Sequence, residues 1–206
     1  MATAQPAKQK SGSRQGTTND PLVWIDCEMT GLSPDTDEII EIYCILTTGD
    51  LEVIDEDGFH AIIHLPEERM AQMDDWCTKT HRDSGLTAAV LSSTTTPQQA
   101  ADALYEYITK FIPERKKALL AGNSIHADRA FLRKEPYKKV TRHLHHRLLD
   151  VSAIKEAARR WCDEETVRHV PTKKGLHKAR DDILESIEEA KYYRDAIFRR
   201  PKPAQE

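Results

Sequence analysis

Three short segments hold the residue types needed to bind a divalent cation and move a proton. Asp26 and Glu28 flank Cys27 near the end of an apolar run that begins at Leu22. Residues two apart on a strand project from one face, so these carboxylates point the same way. Neighbouring carboxylates repel and raise each other's pKa unless a cation sits between them. A hard ion such as Mg²⁺ suits the pair, because it takes one or two carboxylate oxygens together with substrate phosphate. The pair equally marks a strand leaving the core, and the spacing alone leaves both readings open.

The second segment runs from Gly122 to Phe131, directly after an apolar strand. A Gly-Asn-Ser turn leading into a helix leaves backbone N–H groups suited to phosphate. Asp128 sits in the first turn, where a carboxylate also complements the helix dipole, so a plain helix-start residue is the competing account. The third segment runs from His177 to Ser186. Asp182 borders the core stripe formed by Ile183, Ile187, Ala190 and Ile197. Five residues on a continuous helix turn through about 140°, which would point His177 away from Asp182. His177 is therefore placed on the loop before the helix, either as a general base or as a surface histidine beside Lys178 and Arg180.

The elements that position these residues read as a meander followed by α/β units. Leu22–Cys27, Ile39–Leu46, Leu51–Ile54 and Phe59–Leu65 have strand patterns joined by short turns. A helix is expected over Pro97–Ile112, with Ala101, Leu104, Tyr105, Ile108 and Phe111 on one stripe. A buried strand follows over Ala118–Ala121, then a short helix over Asp128–Arg133 and a strand over Arg147–Leu149. Helices over Val151–Trp161 and Asp181–Phe198 close the set. The order predicts an α/β fold with a mixed sheet flanked by helices. Residues 1–20 contain no Leu, Ile, Val or aromatic residue and read as a disordered tail. Residues 21–198 form one domain, and 199–206 a second tail.

Composition narrows the class of molecule. With 39% hydrophobic and 31% charged residues in 206, the chain can build a core but has no apolar run long enough to span a membrane. The net charge of −4 argues mildly against a protein that tracks long nucleic acid, which usually carries a basic face. A local basic patch remains open, because Arg129 to Arg147 hold seven Lys or Arg against Glu135. That run reads as a phosphate-attracting rim rather than a metal site built on His143, His145 and His146. The nine acids from Asp35 to Asp57 read as solvated surface. Cys27, Cys44, Cys77 and Cys162 form no C-x-x-C pair, and the cysteine pattern predicts a reducing intracellular compartment. Trp161 and Cys162 are expected in the core or an interface.

Together the acidic segments resemble the DEDDh exonucleases, whose fold is ribonuclease-H-like. The runs Trp24–Leu32, Met73–His81, Gly122–Ile125, Leu149–Ser152, Asp181–Ser186 and Ala190–Arg194 resemble the oligoribonuclease family in particular. The resemblance covers roughly residues 21 to 198. It implies 3′-to-5′ hydrolysis of very short RNAs, dinucleotides favoured, to 5′-mononucleotides with two Mg²⁺ or Mn²⁺ ions. Asp26 would bridge both ions, Glu28 and Asp182 would complete one site, Asp128 would support the other, and His177 would be the general base.

The resemblance also implies a homodimer. Leu32 would wedge between bases, and Trp76 and His81 would line the 3′-nucleotide pocket. Ser124 of one subunit, with Arg147 and Ser152 of its partner, would cap the 5′ phosphate. His146 stands where the family usually has Tyr, and it is expected to meet substrate across the dimer. Residence would be mitochondrial, cytoplasmic or both. The competing readings are a general 3′–5′ exonuclease acting on longer RNA or DNA and a non-catalytic nucleic-acid-binding domain.

Overall fold

The computed structural model describes residues 20–172 and 179–199. His177 and most of both tails lie outside the described residues. Five strands form one sheet: β1 (Leu22–Met29), β2 (Ile39–Thr47), β3 (Phe59–Ile62), β4 (Leu119–Gly122) and β5 (Leu148–Asp150), in the order β3-β2-β1-β4-β5. β1, β2 and β3 pair antiparallel, whereas β4 and β5 run parallel to β1. The C-terminal ends of β1, β4 and β5 therefore open on the same edge.

Strand alternation along β1 divides the interior into two layers. Val23, Ile25 and Cys27 face a core with Ile42 and Cys44 of β2 and with Leu104 and Ile108 of helix α4 (Pro97–Phe111). Three short helices precede it: α1 (Glu67–Met70), α2 (Asp75–Asp83) and α3 (Leu86–Ser92). Leu22 and Trp24 face the opposite layer, where Val151 and Ala158 of α7 (Val151–Trp161) meet Ile183, Ile187 and Tyr193 of α9 (Ala179–Tyr193). Two more helices, α5 (His126–Leu132) and α6 (Lys138–His143), follow β4, and α8 (Glu164–Arg168) follows α7. The buried indole of Trp24 donates to Thr47 Oγ1 at 2.9 Å, so its one polar group is satisfied.

Helix α4 starts where the sequence signals it should. Thr96 caps the Gln99 N–H, Gln99 returns a bond to the Thr96 N–H, and Pro97 occupies the first turn. Several expectations need correction. Leu51–Ile54 is no strand: Leu51 has φ +67°, and Thr48 gathers the N–H groups of Asp50 and Glu52, leaving one bridge between Thr47 and Val53. β3 ends at Ile62 rather than Leu65, and α5 begins at His126 rather than Asp128. The last helix becomes a π-helical turn over Arg194–Phe198. Trp161 is 82% exposed and is not a core residue of the single chain.

Candidate active site

Asp26 and Glu28 lie on the Trp24 face of β1 by strand alternation, and α9 packs on that face through Ile183 and Ile187. Asp182 immediately precedes the first of these isoleucines. Ligand oxygens of Asp26, Glu28 and Asp182 consequently lie within 4.8 Å of one another, all half-buried. Glu28 is also the cross-strand partner of Glu41, and a bulge follows it between Glu28 and Met29. Burial, reinforced by the charges of Glu41, Asp182 and Asp128, pushes the Glu28 carboxyl up to about 8. An all-carboxylate set whose buried member resists ionisation fits a hard divalent cation.

Asp128 does more than start a helix. Its Oδ1 accepts the Cys27 N–H at 3.0 Å, tying α5 to β1 between the two acids. It is 7% exposed, and burial raises its carboxyl to about 6 despite that hydrogen bond. The carboxylate therefore sits beside the three-acid cluster, anchored on the backbone.

The Gly-Asn-Ser turn does not offer a free Ser124 N–H. That N–H donates to Asp150 Oδ1 and Ser152 Oγ, each at 3.0 Å, which holds Ser124 at φ +50°. Ser124 and Ser152 hydroxyls are 3.2 Å apart in one chain. β4 and β5 are adjacent parallel strands, so the residues just past their ends are neighbours within the chain. Arg147 precedes β5 in that same chain, its side chain exposed.

Two residues inside the motifs, given no role by the sequence, complete this edge. Asn123 Nδ2 donates to Ser186 Oγ at 2.7 Å and approaches Glu189 Oε2 at 3.4 Å, while its Oδ1 accepts from Ser152. Ser186 Oγ in turn donates to the Asp182 carbonyl at 2.7 Å. One amide therefore links the acid-bearing helix to the serine pair.

Leu32 and Trp76 are 87% and 61% exposed, unusual for large apolar side chains. Leu32 rides on a loop braced by Arg69, which bonds Glu38, Thr30, Thr36 and Asp37. A Cβ on Gly31 would stand 2.4 Å from Asp37 Oδ2, so this brace requires glycine there. Asp37, one of the acids read as solvated surface, is instead a half-buried partner of Arg69, whereas Glu38 pairs with Arg69 and stays exposed.

His81 is buried: its Nε2 donates to the Met29 carbonyl at 2.9 Å, and Nδ1 lies 4.0 Å from Glu28 Oε2. It supports the end of β1 rather than presenting an open ring. His143 is also buried, against the Ile112 carbonyl, whereas the His145 and His146 rings stack at 4.3 Å. The three histidines do not form a ligand set.

Residues 23–190 match the exonuclease family RNase_T. The chain is 45% identical over 186 residues to the probable oligoribonuclease of Schizosaccharomyces pombe, covering 89% of this chain and 71% of that protein. It is 46% identical to the oligoribonuclease of Vibrio parahaemolyticus, covering 86% and 96%, and 45% identical to the mitochondrial oligoribonuclease of Homo sapiens, covering 87% and 74%. Among solved structures, E. coli exonuclease I in complex with a dT13 oligonucleotide superposes with a TM-score of 0.65 at 15% identity. That match covers 87% of this chain but only 42% of the exonuclease I chain, and at such identity it speaks for a shared ribonuclease-H-like fold. The RNase_T exonucleases are generally dependent on divalent metals. With acids converging from β1 and α9 on this fold, and such identity over nearly the whole domain, the chain belongs to the oligoribonuclease family of exonucleases.

Proposed function

We propose that this chain is a 3′-to-5′ exoribonuclease that hydrolyses very short RNA oligonucleotides, dinucleotides above all, to 5′-mononucleotides. The observation that carries the reading is the convergence of Asp26, Glu28 and Asp182 within 4.8 Å, beside the anchored Asp128. Asp26, Glu28 and Asp182 would hold divalent cations, Mg²⁺ or Mn²⁺, and Asp128 would support a second ion. Such ions, when bound, acidify water and stabilise charge on the reacting phosphate oxygens. His177 accepts the proton of the attacking water. The water oxygen joins phosphorus, the bond to the upstream 3′ oxygen breaks, and a 5′-mononucleotide leaves.

Leu32 and Trp76 contact the bases, with His81 holding the strand end beneath them. Ser124 of one subunit, with Arg147 and Ser152 of its partner, caps the 5′ phosphate. Closure at that point disfavours longer chains, which would have no exit. The protein acts as a homodimer, in which His146 reaches the partner's substrate. Bacterial and mitochondrial relatives favour action inside the cell, in mitochondria, cytoplasm or both.

The test is a time course with 5′-labelled RNAs of two, three, five and twenty nucleotides, in Mg²⁺ and in EDTA, beside Asp26→Ala. Metal-dependent cleavage fastest on the dinucleotide and failing on the longest RNA is expected. Equal or better trimming of the longest RNA would replace this reading with a general exonuclease. Absence of metal-dependent cleavage at every length would leave a binding domain.

A further inference from the structure

Away from the acidic cluster, a cleft of about 430 Å³ is lined by Lys116, Arg129, Arg133, Lys138, Arg142, His146 and one threonine. No carboxylate lines it. Many cations elsewhere are compensated: Lys79, Lys134, Lys139, Arg160, Arg168 and Lys191 each meet an acidic side chain. In the cleft, only Lys138 meets a described carboxylate, Glu135 at 3.8 Å.

Two of the remaining cations are positioned by backbone oxygens, which leave their charge unneutralised. Lys116 Nζ donates to the Leu144 carbonyl at 3.0 Å, and Arg129 donates to the His146 carbonyl at 3.2 Å. Five cations around one cleft repel each other, and a chain with net charge −4 has acids enough to relieve them. Four of the five, on three segments, meet no described carboxylate, which favours an anionic ligand. At the rim, the exposed His146 ring lies against His145 with centroids 4.3 Å apart and planes tilted by 30°, beside the cations. A cationic groove next to a stacking ring is how single strands are held without sequence preference.

We propose that this cleft is a second phosphate-binding site, which takes the backbone of a single-stranded oligonucleotide. It is separate from the carboxylate cluster of the same chain: α5 sends Asp128 to β1, whereas Arg129 and Arg133 of that helix line the cleft. A strand held here is concentrated near the protein without entering that chain's hydrolytic site.

The test is fluorescence anisotropy with a hexaribonucleotide carrying a 3′-terminal fluorescein, in EDTA, on the full chain. The blocked 3′ end and chelated metal remove turnover, so this binding and the exonuclease reading can fail independently. Arg133→Glu with Arg142→Glu should weaken binding at least tenfold. The same change should lower the slope of log Kd against log salt by about 1.4, at about 0.7 per phosphate contact on single strands. Arg133→Gln with Arg142→Gln, a gentler pair that guards against misfolding, should fall between. Arg160→Glu with Arg168→Glu changes net charge equally at paired positions and should stay within twofold of wild type. Equal weakening by the two charge-reversed pairs would overturn the site, as would no weakening by either. If inorganic tripolyphosphate binds with the same sensitivity to the variants and the hexanucleotide does not bind, the cleft takes free phosphate and the strand assignment is overturned.

Discussion

Glu28→Gln should make the metal-free protein more stable at alkaline pH while removing its activity. The folded structure holds the Glu28 carboxyl near 8 against an ordinary value of 4.5, because burial and the charges of Glu41, Asp182 and Asp128 oppose ionisation. Between those two values the folded chain retains a proton that the unfolded chain has lost. Stability from this group is therefore complete below about pH 4.5 and is lost as pH rises through about 8. One pKa unit is worth about 1.4 kcal/mol, so the full loss is about 5 kcal/mol, of which about 3 kcal/mol has gone by pH 7. Only 18% of the side chain is exposed, so solvent screening removes little of this.

Glutamine keeps the shape of the protonated acid and cannot ionise. Its advantage over glutamate should grow from about 1 kcal/mol at pH 5 to about 4 kcal/mol at pH 8. Asp128 shifts in the same direction, to about 6, and is present in both proteins, so to first order its contribution cancels in the comparison. Urea unfolding in EDTA at the two pH values measures the difference directly. A gap between variant and wild type that does not widen with pH would refute the reasoning. Saturating Mg²⁺ should narrow the gap by stabilising wild type at pH 8, because a bound cation favours the ionised carboxylates.

Three other perturbations probe the scaffold. Asn123→Leu removes the amide that joins Ser186 to Ser152, and should cost about 2 to 4 kcal/mol in thermal or urea unfolding, with kcat/KM on a dinucleotide falling further than the lost stability explains. Gly31→Ala places a methyl 2.4 Å from the pinned Asp37 carboxylate, and should raise KM about tenfold through displacement of Leu32 while kcat changes little. Trp161→Ser should shift a dimer toward monomer at micromolar concentration in sedimentation velocity; an unchanged dimer would move Trp161, 82% exposed in the single chain, out of the interface.

Local pattern carried much of the fold and half of the site. The two-residue spacing of Asp26 and Glu28 sets their common face, and the Ile183–Ile187–Ala190 stripe determines which side of α9 meets the sheet. Asp182 follows from its place beside that stripe. Asn123, Arg69 and the pairing of Ser124 with Ser152 were not legible, because each depends on polar contacts between segments 28 to 66 residues apart or on a loop brace without periodicity. Helices α1 to α3 were missed for a related reason: they are four to nine residues long, too short to show a sustained stripe. The Leu51 turn was lost because an apolar residue at positive φ has no composition signal of its own.

The edge where β1, β4 and β5 end gathers chemistry because of how the sheet is wound. Parallel strands bring their C-terminal ends together, so Glu28, Ser124 and Ser152 come to one side although more than 120 residues separate the first from the last. The same winding lays α9 across β1 and delivers the third acid. What the winding cannot supply is a reason for three carboxylates and a buried Asp128 to remain close; their mutual repulsion opposes it. Backbone and amide contacts do: the Cys27 N–H fixes Asp128, and Asn123 and Ser186 fasten the first turn of α9 to the end of β4. The contacts that place Asp128 and α9 are thus made by groups that carry no charge. A lysine or arginine in place of either contact would have held the geometry equally well and added positive charge beside the carboxylates.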